Sequence, residues 1–264
     1  MPPTGWYTPQ ARMGVEWEVG ASAIEFRLRM AINTVIIVLG FWSPWIEKWG
    51  VGSRISLLEW LALELSRTGL LRFTVATAVV ILVGTLIAGL GAALRVWGAA
   101  YLGPATVISL EMKAGGVMAD GPYRYVRNPL YVGLWCMVAA MALIMPPTGA
   151  LFTMVLLTIF LMRLILGEEA FLSAKLGEPY RAYLSSVPRL FPRLPSAASH
   201  GTSRPNWMRA VLAEILPIGV FITFAFFSWS YDNRLMGRAI LVSFGLSLVT
   251  RAFVPATQPE KDLS

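Results

Sequence analysis

The chain is apolar and basic: 56% of its 264 residues are hydrophobic, 14% are charged, and the net charge is +7. Soluble domains have about 25% charged residues, so this composition predicts an all-α, polytopic membrane protein. One cysteine and one histidine exclude an intrachain disulfide and argue against any metal centre. The cations are scattered at the ends of apolar segments, so we expect them to face anionic lipid and not nucleic acid.

The first half of the chain predicts two spans with an interfacial helix between them. Residues 1–25 contain no apolar core followed by a cleavage site, so we expect the first span, 26–46, to direct insertion itself. Residues 53–67 have a narrow polar stripe, which indicates a helix lying in the interface. The second span, 70–96, contains small glycines that permit close helix packing.

The middle of the chain predicts a helical hairpin. A polar, glycine-rich loop over 97–128 leads into a third span, 130–145, which is short for a bilayer core about 30 Å thick. A Pro-Pro-Thr-Gly turn at 146–149 connects it to a fourth span over 150–166. The far ends of these two antiparallel helices are therefore expected to meet on one side.

The remainder predicts a short amphipathic helix within 167–195, followed by a fifth span at 207–229 and a sixth, weaker one at 238–254. The total is six spans, with five as the alternative because the last is short. The chain then divides into an N-terminal cytoplasmic segment 1–25, N-terminal spans 26–93, a core 94–195, a linker 196–206, and C-terminal spans and tail 207–264.

Charge distribution predicts the orientation. With six spans, both termini and the loops 97–128 and 167–206 share one side, which has fifteen lysines and arginines. The other side has six, and one arginine lies within the fourth span. The positive-inside rule places the richer side in the cytoplasm.

The segment GPYRYVRNPLYVG, residues 121–133, contains the clearest candidate site. Asparagine is a favoured helix N-cap and proline is favoured at the next position, so Asn128 and Pro129 predict a helix start. A helix N-terminus offers free N–H groups to an anion, and Arg127 adds a forked donor suited to carboxylate or phosphate. For Asn128, a capping role alone and capping combined with ligand contact are both compatible with the sequence.

Three tyrosines in this segment, Tyr123, Tyr125 and Tyr131, offer aromatic faces for a cation or a purine ring. The alternative is that each one belongs to an interfacial aromatic belt, with Arg124 and Arg127 as ordinary interfacial cations.

Two adjacent carboxylates, Glu168 and Glu169, follow the fourth span. Acids at a helix C-terminus oppose the helix dipole, so capping does not explain them. One carboxylate could bind ribose hydroxyls or an ammonium, while the other pairs with an arginine of the 121–133 segment. The alternative is a solvated charge pair at the membrane boundary.

Together these groups suit a ligand with an anionic part, a cationic part and an aromatic base. S-adenosylmethionine is such a molecule. Methyl transfer from its sulfonium is a direct displacement that needs alignment and desolvation more than acid or base residues, which suits a chain with one histidine.

Three segments in this order, LRVWGAAYLG (94–103), GPYRYVRNPLYVG and GEEAFLSAKLGEPYRAYLSSVPRLFP (167–192), resemble the isoprenylcysteine carboxyl methyltransferase and phospholipid methyltransferase superfamily of membrane enzymes. The resemblance implies a helical membrane fold, S-adenosylmethionine as the methyl donor and a lipophilic or small acceptor. It places the cofactor at Gly121, Pro122, Tyr123, Arg127, Asn128, Pro129, Tyr131, Glu168 and Glu169.

Within this set, Arg127 and Glu169 are the candidate catalytic residues at the reacting end. Asn128 departs from the pattern, because isoprenylcysteine enzymes usually have histidine there, and asparagine does not titrate near neutrality. The acceptor therefore stays open among a carboxylate, an amine and a thiol.

Two other functional classes are alternatives to a methyltransferase. Membrane reductases that use NADPH have a similar C-terminal arrangement, although Asn128-Pro129-Leu130-Tyr131 fits the methyltransferases better. A transporter or scaffold would be favoured by ionisable residues midway along spans, and the clear cases, Arg163 and Glu214, lie near predicted ends.

Overall fold

The computed structural model describes residues 20–42, 55–102, 112–113, 116–117, 119–194 and 204–253. Over these residues the predicted all-α fold is confirmed, apart from a pair of two-residue strands. The N-terminal segment before residue 20, most of the predicted linker and the tail after residue 253 lie outside the described residues.

Nine α-helices make up the described fold. They are α1 (Ala23–Phe41), α2 (Leu57–Arg67), α3 (Phe73–Tyr101), α4 (Pro129–Ala142), α5 (Pro147–Leu176), α6 (Glu178–Ser186), α7 (Trp207–Ala213), α8 (Ile215–Ile222) and α9 (Asn233–Phe253). A 3₁₀ turn, Gly121–Arg124, precedes α4, and α8 continues through a π-helical turn, Thr223–Phe227, and a 3₁₀ turn, Ser228–Ser230. The strands β1 (Met112–Lys113) and β2 (Gly116–Val117) pair antiparallel.

Helices form over all six predicted spans, but fewer meet the requirements for crossing a membrane. Within the described ranges, α3 and α5 are long and apolar enough, and the bent pair α7 and α8 would be a third if it forms one span. The described part of the chain therefore has two or three candidate spans of this kind, and the total of six stays a prediction.

Two helices extend further than the sequence predicted, and both extensions affect the site. Helix α3 continues to Tyr101 instead of ending at Val96. Helix α5 continues without a break to Leu176, so Glu168 and Glu169 lie within the helix. The interpretation of this pair as acids at a helix C-terminus was wrong, because the polar residues after Leu166 continue the helix as an amphipathic extension.

The pairing of α3 with α4 is the most extensive between helices in the described structure. It depends on two glycines that let the backbones approach. A Cβ atom on Gly91 would lie 2.9 Å from both the Gly133 carbonyl oxygen and the Met137 nitrogen, and a Cβ on Gly133 would lie 2.9 Å from the Gly91 oxygen. Since these neighbours are backbone atoms, they cannot move aside as a flexible side chain would.

Further contacts hold α1 against α5 and the start of α2 against the end of α4. The backbone N–H of Ala21, just before α1, donates to the Arg163 carbonyl of α5 at 2.8 Å, and the Arg163 guanidinium pairs with Glu25 at 2.9 Å. The N–H groups of Leu57 and Leu58 donate to Met145 and Leu143. The start of α2 thus satisfies carbonyl groups left open at the end of α4.

The C-terminal region bends at Glu214, which lies between α7 and α8. The two helices meet at 70°. The polar turn predicted at 230–237 is shorter, because α9 begins at Asn233. Tyr231 occupies the left-handed region with φ 55°, and the Asp232 side chain accepts hydrogen bonds from the first N–H groups of the new helix.

We predict that Gly91→Ala destabilises the protein by about 1–3 kcal/mol, because the added methyl group would overpack the α3–α4 contact. The control is Gly245→Ala, in α9, where a Cβ meets nothing within 4 Å. At that open helical position alanine should stabilise by up to about 1 kcal/mol. Thermal unfolding in detergent measures the change in stability of each variant. Equal changes for Gly91→Ala and Gly245→Ala would contradict the close packing of α3 on α4.

Candidate active site

The site begins at the 3₁₀ turn that joins the preceding loop to α4. Gly121 has φ +54°, a conformation that L side chains rarely adopt, and a Cβ atom there would lie 2.4 Å from the Tyr101 ring. Pro122 is buried beneath it. The turn thus fixes the direction of the chain through Tyr123 to Arg127.

Asn128 holds the N-cap position of α4, as predicted, but its side chain makes no capping hydrogen bond. Its Nδ2 atom donates instead to the Arg189 carbonyl oxygen at 3.2 Å and to Glu169 Oε1 at 3.5 Å. The asparagine therefore joins α5 and the segment after α6 to the start of α4. The first N–H groups of α4 are left without that side-chain cap.

Glu169 lies between two guanidinium groups. It is buried, and it accepts hydrogen bonds from Arg189 Nη2 at 2.8 Å and Nε at 3.1 Å, while Arg127 Nη1 lies 3.4 Å away. The hydrogen bonds to Glu169 raise the pKa of Arg189. One carboxylate faces two cations here, so this cluster has an excess positive charge that suits an anionic ligand.

Glu168 takes part in a separate contact. It is one residue from Glu169 on a helix that turns about 100° per residue, so the two side chains leave α5 in different directions. The Tyr131 hydroxyl donates to Glu168 Oε2 at 3.0 Å, and Arg29 of α1 is close enough to act on Glu168 electrostatically. Glu168 thus meets the first turn of α4 beside the Glu169 cluster.

A group of tyrosines packs beneath the 3₁₀ turn. Tyr123, Tyr180 and Tyr183 cluster with Val187, and the Tyr183 hydroxyl donates to the Tyr123 carbonyl oxygen at 2.7 Å. Burial raises the pKa of all three phenols well above the usual range, so they stay neutral and able to donate. Tyr125 is separate, with its ring 6.2 Å from that of Trp97.

Two donors of the motif are buried and have no hydrogen-bond partner in the described part of the chain. They are the Tyr123 hydroxyl and Arg127 Nε. Buried polar groups are usually satisfied, and an unsatisfied one calls for an explanation. Both would be satisfied by a ligand that presents hydrogen-bond acceptors, such as a carboxylate or a hydroxyl group.

The structure brings together most of the residues predicted to form the site. Gly121, Pro122 and Tyr123 form the turn, Arg127, Asn128 and Pro129 form the helix start, and Tyr131, Glu168 and Glu169 complete the group. The polar side chains of the group come from the residues just before α4, from α4 itself and from α5. They are those of Arg127, Asn128, Tyr131, Glu168 and Glu169. Their functional roles stay predictions.

Three residues that join this region had no predicted role in the site. Arg189 is the main partner of Glu169, and its only signal was a basic residue in the polar stretch that follows the glutamates. Arg95 Nη1 donates to the Leu130 carbonyl oxygen at 3.2 Å. Arg95 also forms a bidentate ion pair with Glu214, from Nε to Oε2 at 2.5 Å and from Nη2 to Oε1 at 2.9 Å. The pair joins positions 119 residues apart, a separation that no local pattern reveals.

We predict that Glu169→Gln destabilises the protein by about 1.5–3 kcal/mol, because the buried Arg127 guanidinium would lose its anion, whereas Arg189 is 37% exposed and can be solvated instead. The matched control is Glu178→Gln, which removes an exposed carboxylate that pairs with Arg181 at 3.4 Å. Exposed pairs contribute about 0–1 kcal/mol. Thermal unfolding in detergent compares the variants, and similar losses for both would show that the Glu169 cluster is not a buried ion pair.

Comparison with known proteins supports the motif analysis. Residues 79–178 match the family model of phospholipid methyltransferases. A stretch of 91 residues is 38% identical to a protein-S-isoprenylcysteine O-methyltransferase of Schizosaccharomyces pombe, and covers 34% of this chain and 38% of that protein. No solved structure gives a significant match.

The 79–178 match contains the complete 121–133 motif, the helical hairpin and both glutamates. The alignment with the yeast protein spans well under half of either chain. Over this central segment, the predicted resemblance to the isoprenylcysteine carboxyl methyltransferase and phospholipid methyltransferase superfamily is confirmed.

Proposed function

We propose that the protein is an S-adenosylmethionine-dependent methyltransferase that acts on a lipophilic or small acceptor at the membrane. The observation that supports this most is the presence of two buried donors without partners in the described part of the chain, Arg127 Nε in the Glu169 cluster and the Tyr123 hydroxyl within electrostatic reach of Glu168. They lie within the segment that matches the phospholipid methyltransferase model. Because the similar proteins are named as methyltransferases, methyl transfer is the reaction that we assign to these residues.

The residues present fit S-adenosylmethionine in charge and hydrogen bonding. Its carboxylate matches Arg127 Nε and the uncapped N–H groups at the start of α4. Glu168 is an acceptor for its ammonium or ribose hydroxyls, and the neutral phenol of Tyr123 is a donor. When bound, the cofactor would supply an electrophilic methyl group on a sulfonium.

In this proposal the protein orients the reactants and excludes water. Glu169 is already engaged by Arg127, Arg189 and Asn128, so we assign it to positioning the arginines. Arg127 is the member of the catalytic pair that contacts ligand. No general base is required of the protein in a direct displacement by a good nucleophile, because alignment and desolvation supply the rate.

The proposal also includes the orientation of the protein in the membrane. The motif, both glutamates and Arg189 lie at the end of the hairpin that the charge distribution assigns to the cytoplasm. S-adenosylmethionine is water-soluble and would enter from that side, whereas an apolar acceptor would approach through the bilayer.

We predict that purified protein in detergent binds S-adenosylmethionine and that Glu168→Gln weakens this binding by about 10- to 100-fold, because a hydrogen bond to a charged group contributes about 1.5–3 kcal/mol. Glu178→Gln is the control, since that carboxylate is exposed and lies on α6. Equilibrium binding of S-adenosylmethionine and of NADPH measures the preference between cofactors.

Tight NADPH binding without S-adenosylmethionine binding would overturn the methyltransferase proposal and favour a membrane reductase. Incubation with labelled methyl donor and a lipid extract then tests transfer itself. The active protein should label an extractable molecule, and the Glu168→Gln variant should label it more slowly at low donor concentration.

A further inference from the structure

A cleft of about 520 Å³ lies between α1 and the C-terminal helices α8 and α9, with α4 forming its inner wall. Its volume is in the range of small-molecule sites. Apolar side chains supply most of the lining, among them Met30, Ile37, Leu134, Met137, Leu216 and Ile240. At one side, Trp42 and Leu241 line it while staying largely exposed. In a bilayer such a cleft would open towards lipid.

The cleft also has polar groups, and one pair connects it to the candidate active site. Arg95 and Glu214 both line it. Arg95 donates to the carbonyl oxygen of Leu130, which lies between Pro129 and Tyr131 in the first turn of α4. The polar part of the cleft is therefore next to the turn that positions Asn128 and Tyr131.

This polar part lies partly outside the region shared with known families. Arg95 falls within the segment 79–178 that matches the family model, whereas Glu214 and Asn33 of α1 fall outside it. The bidentate contact between Glu214 and Arg95 thus joins the bend between α7 and α8 to the segment that matches the family model. The helices outside the match complete the cleft.

Glu214 and Asn33 leave more hydrogen-bonding positions open than the two remaining donors of Arg95. All three Arg95 nitrogens donate, two to Glu214 and one to Leu130, which uses three of about five guanidinium donors. Each Glu214 oxygen accepts one bond from Arg95 and can accept another. Asn33 Oδ1 is buried and has no partner in the described part of the chain.

An anionic head group would be repelled by Glu214 and would leave Asn33 Oδ1 unpaired. Displacing Glu214 from Arg95 would also leave a buried carboxylate without its cation, which is strongly unfavourable. An ammonium or amine group could instead donate to Glu214 or to Asn33, which line the same cleft, without breaking the contact between Glu214 and Arg95. The charges and open acceptors therefore favour a donor over a carboxylate.

We infer that this cleft binds the methyl acceptor and that Arg95, Glu214 and Asn33 select a long-chain amine over a carboxylate of the same chain length. The inference rests on the proposed methyltransferase function, since it concerns the second substrate of that reaction. The apolar lining holds the chain, and the contact with Leu130 places the head group next to the first turn of α4.

The test uses the full chain in nonionic detergent, with dodecylamine and dodecanoic acid as probes. Apparent affinities come from the increase in thermal midpoint with probe concentration. We expect the unsubstituted protein to bind dodecylamine at least about tenfold more tightly. In the double variant Arg95→Met/Glu214→Leu, which replaces the ion pair by apolar groups of similar size, this preference should fall to about threefold or less.

Asn33→Leu is a second variant in case the double variant fails to fold. It removes only the unpaired acceptor, and it should weaken dodecylamine binding severalfold while leaving dodecanoic acid binding unchanged. Equal or tighter binding of dodecanoic acid by the unsubstituted protein would overturn the inference. Full retention of the amine preference in the substituted proteins would overturn it as well.

Binding of S-adenosylmethionine is measured on the same samples to separate the two proposals. Normal S-adenosylmethionine binding with no amine preference means that the inference fails and the methyltransferase proposal stands. An amine preference without S-adenosylmethionine binding means that the cleft recognises amines but that the proposed function, and with it the acceptor role, is wrong.

Discussion

The Glu169 carboxylate is the contact on which the candidate site depends. It lies in α5, and it holds Arg127 of the motif and Arg189 of the segment after α6. A buried carboxylate needs compensating charge and hydrogen bonds, and two guanidinium groups with the Asn128 amide supply them. Three parts of the chain that are far apart in sequence are thereby brought to one place, which is why the start of α4 faces the C-terminal third of α5.

The unbroken course of α5 makes this contact possible. A helix that ended at Leu166 would leave both glutamates in a loop, where their directions would not be fixed. Within a continuous helix, Glu168 and Glu169 point in directions about 100° apart. One can therefore meet Tyr131 while the other meets the arginines. The two carboxylates thus have different partners: Glu169 holds the arginines, and Glu168 contacts Tyr131 and is the one that the proposed function assigns to a ligand.

The sequence predicted the elements well and the long-range contacts poorly, for physical reasons. Apolar runs determine where helices form, so each predicted span corresponds to a helix, and Asn128-Pro129 predicted the start of α4. Helix ends near the membrane surface were missed, because an amphipathic extension such as 167–176 has no breaker. The role of Asn128 was also incomplete, since a capping residue and a residue that bonds to a neighbouring helix look identical in sequence.

Arg95 and Glu214 show most clearly what local patterns leave out. Each one alone reads as a charge near the end of an apolar segment, and only the 70° bend between α7 and α8 brings Glu214 to the α3–α4 pair. Arg95 then bonds to Leu130, two residues after Asn128. The first turn of α4 is consequently held from two sides, by the Glu169 cluster through Asn128 and by Glu214 through Arg95. A change on the cleft side is therefore expected to reach the candidate site through this one turn, because the rigid helix backbone between Asn128 and Tyr131 is common to both.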